Sequence, residues 1–178
     1  MNNSISLRKR LGLELFRQKE QLIRQNHELH TLFWECTLRC NLACRHCGSD
    51  CKAISGQPDM PKEDFLKALD NITPQVDPHR VFIIFTGGEP LMRKDLEECG
   101  RACYRREYPW GLVTNGLLLS RQRLDRLLQA GLHSITVSLD GPEDAHNWLR
   151  RHPESFRRAS QAIGMLSREK EIVWDVVS

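Results

Sequence analysis

Short apolar runs alternate with segments of helical period from Leu32 to the last residues of this chain. No other feature constrains the possible folds as strongly. Leu32-Phe33-Trp34-Glu35-Cys36-Thr37, Val81-Phe82-Ile83-Ile84-Phe85, Gly111-Leu112-Val113, Ile135-Thr136-Val137-Ser138-Leu139 and Ile172 to Val177 read as strands. Between them, Phe65, Leu66, Leu69 and Ile72 mark one helix face, and Leu96, Cys99 and Cys103 a second. Leu124, Leu127 and Leu128 mark a third, and Phe156, Ala159, Ile163 and Leu166 a fourth. Helix ends are signalled too. Pro61 suits a first helical position, Ser120 an N-cap and Gly131 a C-terminal stop. Strands separated by helices form βα units and a parallel sheet. Right-handed crossovers put the helices on one side of a curling sheet. The expected fold is α/β, a partial (βα)6-type, TIM-like barrel with about five parallel strands, preceded by an N-terminal helix.

That first helix spans residues 7–30, where Leu15, Leu22 and Leu29 recur with Phe16 and Ile23 beside them. It reads as an amphipathic segment docked on the domain or bound to a partner. The expected organisation is a helical segment over 1–31 and a core domain over 32–178. A length of 178 residues allows little more than one domain. With 40% apolar and 28% charged residues, the chain is globular rather than disordered. A net charge of +3 is too mild to point to nucleic acid or an anionic membrane. The longest apolar run, Val81 to Phe85, is far short of a membrane span. Met1 to Arg10 lacks the apolar stretch of a secretory signal, so the expected location is cytoplasmic.

The polar motifs fall where the strands end, which is where βα folds place active sites. The first is a run of cysteines: five of the seven lie between positions 36 and 51. An odd number of cysteines without an export signal argues against a disulfide framework. Zinc commonly takes two C-x2-C pairs, and only Cys44 and Cys47 form one. Cys99 and Cys103 lie on an apolar helix face and read as core. Cys40-x3-Cys44-x2-Cys47 remains: three close thiolates that can grip three irons of a [4Fe–4S] cluster and leave the fourth open. Thr86-Gly87-Gly88-Glu89-Pro90, Thr114-Asn115-Gly116 and Ser138-Leu139-Asp140-Gly141-Pro142 close the next three strands. Taken alone, each is an ordinary turn.

Together and in this order, these motifs resemble the radical S-adenosylmethionine (SAM) superfamily. The resemblance covers roughly residues 32–178 and is strongest to the peptide- and protein-modifying branch that carries SPASM cluster domains. It implies that Cys40, Cys44 and Cys47 are the cluster ligands, with His46 at the family's aromatic position. It implies that Gly87, Gly88, Glu89 and Pro90 form the motif that meets the SAM amino group. It extends cofactor binding to Asn115, Ser138 and Asp140, and to Arg150 as partner of the SAM carboxylate, with Arg151 as the other register. The branch often has Asp where this chain has Asn147. A complete core of this kind has a sixth βα unit, and this chain stops at its fifth strand, so it is expected to be C-terminally truncated.

The implied chemistry is reductive cleavage of SAM to methionine and a 5′-deoxyadenosyl radical, which abstracts hydrogen from a substrate. The implied partners are an external one-electron reductant, flavodoxin- or ferredoxin-like, and a peptide or small-molecule substrate. Nearby Arg39, Arg45 and Lys52 are expected to offset the negative charge of a thiolate-bound cluster. No residue stands out as acid, base or radical relay. Two alternatives remain: a radical SAM enzyme that makes a molybdopterin- or heme-type precursor, and a zinc-binding interaction module.

Overall fold

The computed structural model describes residues 6–49 and 51–178. The start of the N-terminal stretch read above for a signal, residues 1–5, lies outside them. The chain divides into two units, Met1–His30 and Thr31–Ser178. In the first, helix α1 runs Leu7–Asn26 and ends at His27 in the left-handed region; it buries none of its residues. Among the described residues, no helix is long and apolar enough to cross a membrane.

The second unit is the expected βα series. Its strands are β1 (Thr31–Thr37), β2 (Phe82–Gly87), β3 (Trp110–Thr114), β4 (Leu132–Ser138) and β5 (Val173–Val177). They form one sheet in the order β1-β2-β3-β4-β5, every pair parallel. A parallel sheet with strands in sequence order is the start of a barrel wall. The connecting helices are α2 (Lys62–Ile72), α3 (Leu96–Arg105), α4 (Arg121–Gln129), α5 (Glu143–Arg150) and α6 (Ser155–Leu166). Pro61 stands one residue ahead of α2, as its N-cap. The Ser120 hydroxyl accepts the Arg123 N–H and caps α4 as expected.

The core lies between the helices and one face of the sheet. Trp34 of β1 stacks on Phe65 of α2 at 3.7 Å, and Phe85 meets both Trp34 and Trp110 at 5.1 Å. Such ring contacts add to the burial of their large areas. Cys99 and Cys103 are fully buried on α3, the packing role expected of them. The sheet's other face is less covered. Phe33 and Glu35 are exposed, and Phe82 and Ile84 only half-buried, so β2 alternates instead of being buried throughout. This is the inner face of the curling wall.

Two further details differ from expectation. Helix α5 lies between β4 and α6, where only a binding motif was read. It buries a single residue, His146, so it shows no apolar stripe. In α6 the fully buried positions are Ser155, Ala159, Ala162 and Leu166, while Phe156 and Ile163 are half-buried. Small residues let α6 approach the sheet closely; a Cβ on Gly116 would come within 3.2 Å of Ala159.

Candidate active site

The loop after β1 carries the cysteines and is pinned at three places. At its neck, Arg39 and Lys52 pair as a parallel bridge, and the Cys40 N–H donates to the Lys52 carbonyl at 2.8 Å. Further along, Asp59 accepts from Thr37 Oγ1 at 2.6 Å and from Arg39 Nη2 at 2.5 Å. Burial pushes the Asp59 carboxyl up, but these bonds from Arg39 and Thr37 outweigh it and hold it below its ordinary value. At the outer end, Arg45 latches onto the C-terminus of α5. Its N–H donates to the Leu149 carbonyl at 2.8 Å and its Nε to the Trp148 carbonyl at 3.1 Å. Its guanidinium lies 4.5 Å over the Trp148 ring. A cation suits the negative end of a helix.

Gly87 and Gly88 hold the β2 end against this loop. The Gly88 N–H donates to the Thr37 carbonyl at 2.7 Å, and the Glu89 N–H to the Arg39 carbonyl at 2.8 Å. A Cβ on Gly87 would lie 2.2 Å from the Thr37 oxygen, and one on Gly88 2.2 Å from the Arg39 oxygen. The close approach these glycines permit is therefore to backbone of the cysteine loop.

Glu89 turns inward. Its Oε1 accepts from the Leu91 N–H at 3.1 Å and Thr114 Oγ1 at 2.8 Å, and its Oε2 from the Asn115 N–H at 2.8 Å. Burial raises its carboxyl above the ordinary value, against the pull of those three donors. Pro90, also buried, opens the short turn that follows. Asn115 reaches the other way: its Nδ2 donates to Asn41 Oδ1 at 2.8 Å and lies 4.0 Å from Cys40 Sγ.

Asp140, just past β4, takes the Arg150 fork at 2.6 and 2.8 Å. Arg150 Nη1 is left facing Cys44 Sγ at 3.9 Å. His46 Nε2 is 3.9 Å from Asp140 Oδ1. Asn147 bonds the Pro153 carbonyl and the Phe156 N–H, joining α5 to α6. Arg151 is exposed at the left-handed C-cap of α5, so Arg150 is the arginine at the site.

One cleft is lined by Cys40, Cys44, His46, Cys47 and Cys51 from the loop. Gly87, Gly88, Thr114, Asn115, Ser138 and Arg150 line its other walls. Glu89, Pro90 and Asp140 stand outside that lining. Thr114 belongs to a strand-end motif already read; sequence reasoning gave no role to Cys51, Asn41 or His146. Of the three cations expected to offset cluster charge, Arg39 is taken by Asp59 and Arg45 by the α5 carbonyls. Within the cleft, Arg150 is the arginine that faces a thiol. A second, more open cavity lies at the opposite strand ends, beside His79, Tyr104, Tyr108 and His133, away from all the motifs.

The donor set fits an iron–sulfur cluster. A cluster takes soft thiolates spread over several irons, and Cys40, Cys44 and Cys47 line one cleft from a single loop. Cys40 Sγ accepts the Leu42 N–H at 3.4 Å, and Asn115 and Arg150 add donors toward the sulfurs. Burial pushes the Cys40 thiol up to about 11 and raises Cys44 as well, against the Arg150 charge. Metal binding must displace those protons.

A parallel βα wall with a cysteine loop folded over its carboxyl ends defines a class of cofactor-binding domain. The chain belongs to the radical SAM superfamily, whose family model matches residues 34–176. That family uses a [4Fe–4S] cluster and SAM, and membership sets aside the zinc-module reading. The chain is 36% identical over 132 residues to the Fe-coproporphyrin III synthase of Methanosarcina barkeri, covering 73% of this chain and 32% of that protein. It is 34% identical over 134 residues to the AdoMet-dependent heme synthase of Nitratidesulfovibrio vulgaris, covering 75% and 36%. The PqqA peptide cyclase of Rhodopseudomonas palustris is 32% identical over 112 residues, covering 61% and 28%. The chain thus spans about a third of the length of these relatives. Among solved structures, anSMEcpe with bound AdoMet aligns with TM-score 0.67 at 20% identity, covering 83% of this chain and 43% of that one. Streptococcus suis SuiB bound to its precursor peptide SuiA aligns with TM-score 0.66 at 17% identity, covering 99% and 39%. These last two likenesses are of fold.

Proposed function

We propose that this chain is the cofactor-binding part of a radical SAM enzyme acting in the cytoplasm on a peptide or protein. Cys40, Cys44 and Cys47 would hold the cluster. Gly87-Gly88, Asn115, Ser138 and Arg150 would embrace SAM, with His46 at the rim and Glu89, Pro90 and Asp140 bracing them from behind. The observation that carries this reading is the convergence of all four strand-end motifs on one cleft. With cluster and SAM bound, the site supplies one-electron cleavage of SAM and abstraction of hydrogen by the resulting radical. The chain's own residues orient and shield. Arg45, Arg39 and Asp59 hold the loop, the two glycines seat it on β2, and Asn115 and Arg150 direct donors at the sulfurs. An external one-electron reductant completes the scheme.

The Ser138 to Pro142 motif supports the peptide class. A second reading, a heme-type precursor as substrate, is favoured by the identity to the two tetrapyrrole synthases. Anaerobic reconstitution tests the core of the proposal. A brown protein with about four iron and four sulfide per chain, whose reduced EPR signal changes on adding SAM, is expected. A colourless protein, or a signal indifferent to SAM, overturns it. The yield of 5′-deoxyadenosine above background, with a peptide fraction or with a set of tetrapyrroles, separates the two substrate classes.

A further inference from the structure

Behind the cleft, a chain of polar groups runs from Arg150 into the interior. Arg150 Nε and Nη2 grip both Asp140 oxygens. The Asp140 N–H donates to His146 Nδ1 at 3.1 Å. Nδ1 also lies 3.3 Å from Asp140 Oδ2; with Nδ1 accepting the Asp140 N–H, the proton sits on Nε2 and is given to Ser155 Oγ at 2.8 Å. His146 and Ser155 are 1% and 0% exposed. Ser155 is also tied, through its N–H, to the His152 carbonyl at 3.2 Å. Three elements thus meet in one line: the β4 end, α5 and the first turn of α6. A buried polar chain of this kind is held only where every member is satisfied, and it fixes geometry in return. Its outer end is the Nη1 of Arg150, 3.9 Å from Cys44 Sγ.

We propose that Asp140, His146 and Ser155 are positioning residues that hold the Arg150 guanidinium against Cys44, so that Arg150 tunes the one-electron reduction of the bound cluster. This rests on the cluster-binding reading above. Reduction adds one electron and no proton to a thiolate-ligated cluster, so it raises the negative charge beside Cys44. A fixed guanidinium there favours the reduced state, since charge and hydrogen bonds at the sulfurs set cluster potentials. The same arginine can serve the SAM carboxylate. What is new is its action on the cluster before SAM binds, and the dependence of that action on a histidine that never reaches the cleft.

The test is an EPR-monitored redox titration of the reconstituted full chain without SAM, using dithionite and mediators. Arg150→Gln should disfavour reduction about tenfold, a drop of about 59 mV for a one-electron couple. His146→Gln keeps the group that reaches Ser155 but loses the acceptor for the Asp140 N–H. It exchanges one neutral side chain for another, so any shift must travel through Asp140 and Arg150. It should shift the potential the same way by about threefold, while His146→Asn, which restores that acceptor but no longer reaches Ser155, should shift it less and in the same direction as Ser155→Ala. Two results overturn the proposal: a wild-type potential in R150Q, or a shift in R150Q with none in H146Q. If H146Q does not fold, Ser155→Ala is the milder break in the same chain, judged by the same sign. If wild type takes up no iron and sulfide, the cluster reading itself has failed, which is a distinct outcome.

Discussion

Glu89 is the residue whose chemistry the structure changes most. Its motif suggests a carboxylate offered to a ligand; here Oε1 accepts from the Leu91 and Thr114 donors and Oε2 from the Asn115 N–H alone. Its carboxyl is raised in the folded state by burial. A raised carboxyl binds more protons folded than unfolded, so its contribution to stability is present at low pH and lost as pH rises through the folded value. In urea unfolding of the metal-free chain, wild type should therefore lose stability relative to Glu89→Gln as pH rises from about 4 to 8. A difference that is flat across this range would show that Glu89 is not held above its ordinary value. The glycines before it make a steric prediction. Gly88→Ala puts a Cβ 2.2 Å from the Arg39 oxygen, a backbone atom that cannot swing away. It should cost about 1–3 kcal/mol in urea unfolding. Gly87→Ala should cost at least as much, because φ is +120° there as well.

At the scale of elements, the cysteine loop is held by what surrounds it rather than by its own structure. The Arg45 latch to α5 is its outermost tie, so Arg45→Ala should leave global unfolding nearly unchanged. An exposed cation–π contact contributes only about 0.5–1 kcal/mol. The loop itself should open more often, and chelator-driven iron loss from the reconstituted protein should quicken several-fold. An unchanged rate would remove Arg45 from the account. The same scale shows why reading the sequence succeeds in some places and stops in others. Strands and helices with a fully apolar face are legible from period alone, as with Trp34, Phe85 and Leu69. The three cysteines and the strand-end motifs are legible from their order. Helix α5 is not, because burial of one histidine leaves no periodic signal. The Asp140–His146–Ser155 line is not legible either, because it joins residues whose contact depends on how α5 and α6 fold back on β4. Glu89 shows the third limit: a motif names a residue type but not the direction of its side chain.

For the molecule as a whole, the two units carry different kinds of stability. Thr31–Ser178 contains the sheet, its helices and every buried residue described. Helix α1 has Leu7, Leu15, Phe16 and Leu22 exposed and buries none of its residues. A helix of this length is marginal in water by itself. The cooperative unfolding transition therefore belongs to the second unit. Removing residues 1–30 should shift the midpoint of thermal unfolding by less than about 2 °C, the scale of substitutions outside a core. Far-UV circular dichroism should lose helical signal in proportion to the missing residues. The shortened chain should take up iron and sulfide as the full chain does, because all the cleft residues lie in the second unit. A fall of more than about 5 °C, well beyond that scale, would mean that the apolar stripe is covered in solution. The leucine period would then mark a docked element of the folded protein.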